Sequence, residues 1–426
     1  MNDRPRRTRQ YGMWRDSRPG TPGAPVWTRL RRLGASLLLA CIASACGGGS
    51  SATATPADSA PASVPLKVTV FTPHLSHPWG LAFLPDGSLL VTERGGQMRR
   101  VSADGQTVSP PLTGLPPVFV KSQSGLLDVV LDPDYAVTPW VYWSYAEPGT
   151  GSEAGLAGTA VARGQLSGNE MRQVEVIFRQ SPKITDTNGD HFGARLVFAR
   201  DKTLFITLGE RHRDDPAHPG TQYAQNLSND LGKVVRIERD GRIPSDNPDF
   251  GSASARPELW SIGHRNPQGA ALHPETGELW LVEHGPQGGD ELNRVLPGRN
   301  YGWPLRSYGC VYGSPVGDAC RVGGGTHAPD FEEPLTYWVP TSIAPSGLAF
   351  YTANRIPQWT GNVFTGALAG QALWRLTVQG NKVVQREALF QGQLGRIRDV
   401  LQGPDGWLYL LVDSGDGSIL RIERQE

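Results

Sequence analysis

The sequence predicts an all-β protein, a six-bladed β-propeller of four-stranded antiparallel blades, and three observations lead there. The 426 residues include 52 Gly and 35 Pro, and no long stretch keeps the 3.6-residue apolar period of an amphipathic helix. Short apolar runs alternate with Pro/Asp/Gly clusters, as strands joined by hairpin turns do. One strand–turn–strand line recurs six times, which marks it as the unit of a repeated architecture. A β-sandwich or a pair of stacked β-domains is the other arrangement compatible with the same pattern.

The chain opens on a basic segment. Residues 1–32 hold nine Arg against two Asp and lead into "LGASLLLACIASA", an apolar run of 13 residues from Leu33. A helix needs roughly 20 apolar residues to span a bilayer, so this run is too short. A basic start, a short apolar stretch and small residues at its end form an export signal, and translation starting at Met13 would shorten its basic part. Small residues before Cys46 and Gly-Ser after it resemble a bacterial lipoprotein signal, with Cys46 the expected acylated residue and Cys41 the alternative. Ordinary secretion without lipid is the third possibility. Next comes "CGGGSSATATPADSAPASVP", a flexible linker almost without core-forming side chains. The expected organisation is a signal over 1–46, a linker over 47–66 and a propeller domain over 67–426. The expected location is the periplasm or the outer membrane, with membrane contact only through the lipid. Formal net charge is zero, but without residues 1–32 the balance is 32 basic against 39 acidic. This mildly acidic body argues against nucleic acid as a partner.

The six copies follow in order. They begin as "GLAFLPDGSLLVTE" at Gly80, "LLDVVLDPDYAVTPWVYWSYAE" at Leu126 and "ARLVFARDKTLFITLGE" at Ala194. The others are "GAALHPETGELWLVEH" at Gly269, "GLAFYTANRIPQWTGNVFTGAL" at Gly347 and "DVLQGPDGWLYLLVD" at Asp399. Each has hairpin chemistry between its two strands, and hairpins spaced by further strand suggest propeller blades. Hairpin strands are antiparallel, so the second strand ends where the first began. The residues before each first strand, and the acids Glu93, Glu210, Glu283 and Asp413 that end second strands, should meet at one mouth of the central channel. That mouth would gather Gln123, Asp190, His191, Arg265, Asn266, Thr341, Arg396 and Arg398.

Arginines at a narrow mouth suit an anion with several carboxylates or phosphates, because the guanidinium fork binds such groups bidentately. The alternative is that they pair with the neighbouring acids and brace the blades. In "EHGPQGGDELNRVLPGRNYGWP" (283–304), Gly285 and Pro286 leave carbonyls free of ladder bonding and Asp290 and Glu291 follow. Hard cations such as calcium take oxygens of this kind, although a Gly-rich loop with solvated acids reads the same way. His191 beside Asp190 has the chemistry of a general base. Cys310 and Cys320 lie ten apart without the second pair that a structural zinc needs, so one loop-closing disulfide is expected in an exported chain. No nucleophile elbow, HExxH pair or phosphate loop occurs.

"PWGLAFLPDG", "GDHFGARLVF", "LSNDLGKVVRIERDGRIPSDNP", "GHRNPQG", "EHGPQGGDELN", "NYGWP" and "GRIRDV" stand in this order between about Val68 and Arg424. In these motifs the chain resembles the soluble aldose sugar dehydrogenases of the glucose/sorbosone dehydrogenase family, enzymes that use pyrroloquinoline quinone (PQQ) and calcium. The resemblance implies a six-bladed propeller and an aldose substrate, with an external electron acceptor as second partner. It implies that His191 takes the proton of the anomeric hydroxyl while hydride moves to the quinone, and that Asp190 orients the ring. Arg265 and Asn266 would hold the quinone oxygens, with Arg265 also stabilising charge there, and Gln123, Tyr312, Arg396 and Arg398 would contact the cofactor. The carbonyls of Gly285 and Pro286 would bind the calcium beside the cofactor. Glu291 and the carbonyl of Tyr301 would form a second, structural calcium site. The chain departs from the family at Ala369, where a cofactor-binding lysine is common. A propeller that binds sugars or anions without catalysis is the alternative this departure leaves open, and a calcium-dependent lactonase, which would not need the arginines, is a more distant one.

Overall fold

The computed structural model describes residues 58–59, 64–185, 188–217 and 222–425. The export signal, both proposed acylation sites and most of the linker lie outside the described residues. Six essentially antiparallel sheets follow one another along the chain as blades; three have the expected four strands, one has three and two have five, and a separate two-stranded ribbon joins Ser307–Cys310 to Arg321–Val322. Their first strands are Pro78–Phe83, Leu126–Leu131, Gly193–Phe198, Pro267–Leu272, Pro345–Phe350 and Ile397–Gln402. Each touches the next and the last touches the first, so these six strands form a closed ring about one axis. All six copies found in the sequence supply these inner strands and the strand that follows each. The ring is closed out of chain order. Leu66–Leu75, first in the chain among the long strands, pairs antiparallel with Gly417–Arg424, the last, on the blade that begins at Ile397. A two-residue strand, Asp58–Ser59, pairs parallel with Lys382–Leu389 within the stretch read from sequence as linker.

The hydrophobic core is a series of clusters between neighbouring blades. One joins Leu90, Met98, Val129 and Trp143, another Trp280, Val282, Leu348 and Trp374. Both faces of each blade are therefore apolar, and inner strands such as "GLAF" carry little polar alternation. The inner strands also come very close together. A Cβ on Gly269 would stand 2.5 Å from the Gly347 backbone, and one on Gly347 would stand 2.6 Å from Asp399, so only glycine lets these strands approach at the axis.

One irregularity repeats in all six blades. The pairing of first and second strand shifts register near the first strand's start, as between Pro78 and Gly80 or Ile397 and Asp399. A bulge re-aims the neighbouring side chains. Six bulges at one end of the ring thus turn the pre-strand residues towards the mouth. The described residues contain no helix long and apolar enough to cross a membrane.

Candidate active site

At the mouth, the acid ending a second strand bonds the segment that precedes a first strand. Glu93 accepts from the Ser76 amide at 2.6 Å, and Glu283 from the Arg265 amide at 2.7 Å. Asp413 accepts from Arg398 at 3.0 Å and lies 2.7 Å from His77 Nδ1. Glu210 Oε1 lies 2.7 Å from His191 Nδ1. The convergence expected from hairpin geometry is present, with each acid in a specific bond.

His191 has 5% of its surface exposed, and its backbone sits at φ 52° in the left-handed region. Its amide donates to Gln123 Oε1 at 3.2 Å. Burial, then the charges of Arg265 and His212, hold the imidazole well below its usual value, so it is neutral and able to accept a proton. The carboxylate on its Nδ1 is Glu210 and not Asp190, which corrects the sequence expectation. Asp190 Oδ1 accepts from Ser122 Oγ at 2.9 Å, and Oδ2 lies 3.6 Å from His212 Nδ1. Glu210 Oε2 also accepts from the amides of Arg213 and Asp214, which keeps its charge directed at the ring.

Arg265 crosses the mouth from the neighbouring blade. Its Nη1 donates to the carbonyls of Gly285 at 2.6 Å and His284 at 3.2 Å, its guanidinium lies over the Trp303 ring, and Tyr312 is 6.0 Å away. Among the described residues its side chain makes no acid pair of the bracing kind; its bond to an acid, Glu283, comes from its backbone. Asn266 is fully buried, with its amide committed to Gly193, Gln268 and His284. It therefore joins the His191 strand to the wall behind it and does not line the opening. Tyr312 is 63% exposed at the rim, within a loop closed by the Cys310–Cys320 disulfide expected from sequence. Gln287 ties this loop down, accepting from the Gly313 amide at 2.9 Å and donating to the Ser314 carbonyl at 2.8 Å. Thr341 is exposed at the rim.

Arg398 is buried against Gln268, Ser346 and Asp413, so here the bracing alternative holds in part. Arg396 is exposed and donates to the Leu368 carbonyl at 3.1 Å, one residue before Ala369. Beneath the mouth lies a cluster that sequence reasoning missed. Arg195 bridges Asp128 at 3.2 Å and Asp399 at 2.8 Å, donates to the Gln268 carbonyl and stacks on Trp79. It fills the axis with a satisfied ionic plug, and its only sequence signal is an arginine within an otherwise apolar inner strand.

Two cavities adjoin Arg265. The larger, about 430 Å³, is lined by His212, Asp214, Pro286, Trp303 and Tyr312 among others. The smaller is bounded by Glu283, Gly285, Glu291, Tyr301 and Trp303, with about 10 Å³ for the centre of a water-sized guest. Glu283 and Glu291 are both buried and share one donor, Asn293. Burial and the Glu283 charge push the Glu291 carboxyl well up. His327 Nε2 is 3.3 Å from Glu291 but not aligned for a hydrogen bond. Two buried carboxylates around a single small void suit a hard cation. The Pro286 carbonyl accepts no backbone hydrogen bond among the described residues. The arginine set suits a multiply anionic cofactor, and the Nε atoms of Arg265 and Arg398 are buried without a hydrogen-bond partner among the described residues. The residues present therefore fit a multiply anionic cofactor and a small hard cation; of the two carbonyls expected to bind the cofactor's calcium, that of Pro286 is open, whereas that of Gly285 is taken by the Arg265 guanidinium.

Comparison with known proteins agrees with this geometry. Residues 75–421 match the model of the family described as Glucose / Sorbosone dehydrogenase. The chain is 44% identical over 368 residues to the aldose sugar dehydrogenase YliI of Escherichia coli, covering 85% of this chain and 94% of the relative. The crystal structure of the soluble aldose sugar dehydrogenase of Escherichia coli in its apo form superposes with a TM-score of 0.77 at 42% identity, covering 84% of this chain and all of that one. The PQQ-bound aldose sugar dehydrogenase of Streptomyces coelicolor superposes with a TM-score of 0.68 at 29% identity, over 86% of this chain and all of the other. The match over residues 75–421 and a relative alike along nearly its full length leave one conclusion: the chain belongs to the glucose/sorbosone dehydrogenase family.

Proposed function

We propose that the protein oxidises aldoses at the anomeric carbon to lactones, using PQQ and calcium, with His191 as general base. The observation that carries this reading is a neutral, buried imidazole fixed by Glu210 and facing Arg265 across the mouth of the ring. With Nδ1–H donated to Glu210, His191 Nε2 is left to accept a proton. Burial pushes the Glu210 carboxyl up, while Arg265 and the amides of Asp214 and Arg213 pull it down; as a carboxylate it would stabilise the imidazolium that forms as the proton arrives. When bound, PQQ supplies the two-electron acceptor for the hydride leaving C1. Arg265 would hold quinone oxygens and oppose negative charge developing there, in a site where few waters screen it. Arg396 and Arg398 would face carboxylates, and Tyr312 would cover the cofactor from the disulfide-closed loop. The Pro286 carbonyl, with that of Gly285 once Arg265 turns from it to the quinone oxygens, would hold the calcium that polarises the cofactor; Glu291, with the Tyr301 carbonyl, would hold the structural one.

The test is to add PQQ and Ca²⁺ to the apo-protein and follow dye reduction with a panel of aldoses. Stoichiometric quinone uptake with sugar-dependent turnover is expected. His191→Ala should abolish turnover while sparing uptake. Neither uptake nor turnover in the unaltered protein sinks the reading, and tight sugar binding without turnover favours the non-catalytic propeller that Ala369 leaves open. We further propose export and acylation at Cys46, to be tested by mass spectrometry of the mature N-terminal peptide. An unmodified peptide spanning that cysteine would count against acylation.

A further inference from the structure

Beside the base stands a second histidine that the mechanism above does not use. His212 stacks on His191, with ring centroids 4.7 Å apart and planes inclined by 18°. Its Nδ1 edge faces Asp190 at 3.6 Å, and Asp190 is itself held by Ser122. Its Nε2 has no hydrogen-bond partner among the described residues. The side chain is 44% exposed and lines the 430 Å³ cavity with Trp303, Tyr312 and Arg265. A polar ring atom is thus presented next to the proton acceptor, in a cavity that also offers aromatic faces.

The chain holds His212 there against its backbone preference. Arg211 and His212 sit at φ 63° and 55°, in the left-handed region that non-glycine residues avoid. Such a conformation persists only when its surroundings over-determine it, and it clusters at functional sites. The surroundings here are visible. The Arg211 amide donates to the His191 carbonyl at 3.2 Å, and the amides of Arg213 and Asp214 wrap the Glu210 carboxylate that also fixes His191. Glu210 therefore sets the positions of both imidazoles with one side chain.

We propose that His212 is a specificity-determining residue whose Nε2 hydrogen-bonds one hydroxyl of the aldose held against His191. This rests on the sugar-oxidising reading of the site and adds to it the group that reads the sugar's substitution pattern. An aldose offers apolar CH faces, which suit Trp303 and Tyr312, and hydroxyl edges, which suit an imidazole nitrogen able to donate or accept. Asp190 then positions His212, which is a different task from orienting the base.

The experiment measures binding separately from turnover. 1,5-Anhydroglucitol, which lacks the anomeric hydroxyl and cannot be oxidised there, and its monodeoxy analogues are titrated calorimetrically into the quinone- and calcium-treated protein. In the unaltered protein one deoxy analogue should bind about three- to tenfold more weakly than the parent sugar, the value of one net hydrogen bond. His212→Leu should lose the same factor for the parent and nothing further for that analogue. His212→Gln, which keeps a polar edge, should recover part of it. In turnover with glucose, His212→Leu should raise KM far more than it lowers kcat. Unchanged affinity in His212→Leu, an equal loss for every analogue, or no sugar binding by the unaltered protein overturns the proposal. Failure of the dehydrogenase reading shows instead as missing dye reduction, which leaves the calorimetric comparison intact.

Discussion

His191 Nδ1 and Glu210 Oε1 lie 2.7 Å apart inside a wall where neither side chain meets much solvent. The contact fixes the tautomer of the ring and places a negative charge behind it. Glu210→Gln keeps the shape of this contact but removes the charge that favours a proton on the ring. A fall in kcat of about 10²- to 10⁴-fold is expected, the usual range for general acid–base assistance, with quinone uptake retained. Stopped-flow reduction of the bound quinone by sugar measures it. A fall below about threefold, too small for general acid–base assistance, would mean that Glu210 does not support the base.

The pH dependence follows from the same surroundings. Burial, Arg265 and His212 all disfavour a proton on His191 and together outweigh Asp190, which favours one. Activity requires the neutral ring, so the acid limb of kcat/KM should lie below the ordinary histidine value of about 6.5. Arg265→Met removes a like charge, and the limb should move to higher pH even as the overall rate falls. A limb that stays fixed in this variant, measured from initial rates between about pH 4 and 9, contradicts the electrostatic account.

Much of this was legible in the sequence. Pro/Asp/Gly turns punctuate the hairpins, and antiparallel pairing forces both ends of a hairpin to one side, so the ring and most of the residues at its mouth could be read directly, Asn266, buried behind the opening, being the exception. The partner of the base could not. Asp190 is adjacent in sequence, but the left-handed backbone at His191 and the bulge after Gly193 turn the ring away from it. Glu210, 19 residues on, is brought opposite by the second strand. His212 lies outside the repeat, on a turn whose conformation arises from hydrogen bonds to Glu210 and not from turn-forming residues. Arg195 was hidden because an arginine in an apolar strand signals burial only when its two acids, on two other blades, are known.

Arg195 carries the next prediction. It is buried between Asp128 and Asp399, and burial raises both carboxyls, Asp399 to about 6, despite the arginine. Removing the cation leaves two uncompensated acids on the axis. Arg195→Leu should cost about 3–5 kcal/mol, the usual penalty for breaking a buried ion pair, measured by urea unfolding. Adding Asp128→Asn and Asp399→Asn should restore most of it. A loss under about 1 kcal/mol in Arg195→Leu alone would show that the cluster is not bracing the ring.

Calcium should act on stability before it acts on rate. Glu283 and Glu291 repel each other in the smaller cavity, and a cation that binds only the folded chain stabilises it by mass action. Millimolar Ca²⁺ should raise the Tm of the quinone-free protein, and a chelator should reverse the rise. Glu291→Gln should have a higher Tm than the parent without calcium and respond less to its addition. If both proteins respond equally, the ion is bound elsewhere.

Ala369 tests how the mouth replaces a missing cation. The residue is exposed, and its amide donates to the Ile343 carbonyl at 3.0 Å. Arg396, from the following blade, reaches the carbonyl just before it, and its nearest acid, Asp413, is 4.0 Å away and already bonded to Arg398. The Arg396 guanidinium therefore stands beside the place where a lysine side chain at this position would begin, and it is the charge available to a cofactor carboxylate there. Arg396→Gln should weaken PQQ uptake by about tenfold at low salt, the scale of one exposed charge-assisted hydrogen bond. The loss should shrink as ionic strength rises, because the group is exposed and screened. Ala369→Lys in the Arg396→Gln background should recover most of the affinity, since the charge returns beside the position the guanidinium held. In the unaltered background it should add little, because two cations would then share one carboxylate. Uptake unchanged in Arg396→Gln, or an Ala369→Lys substitution that helps equally with and without Arg396, would mean that the two positions serve different parts of the cofactor.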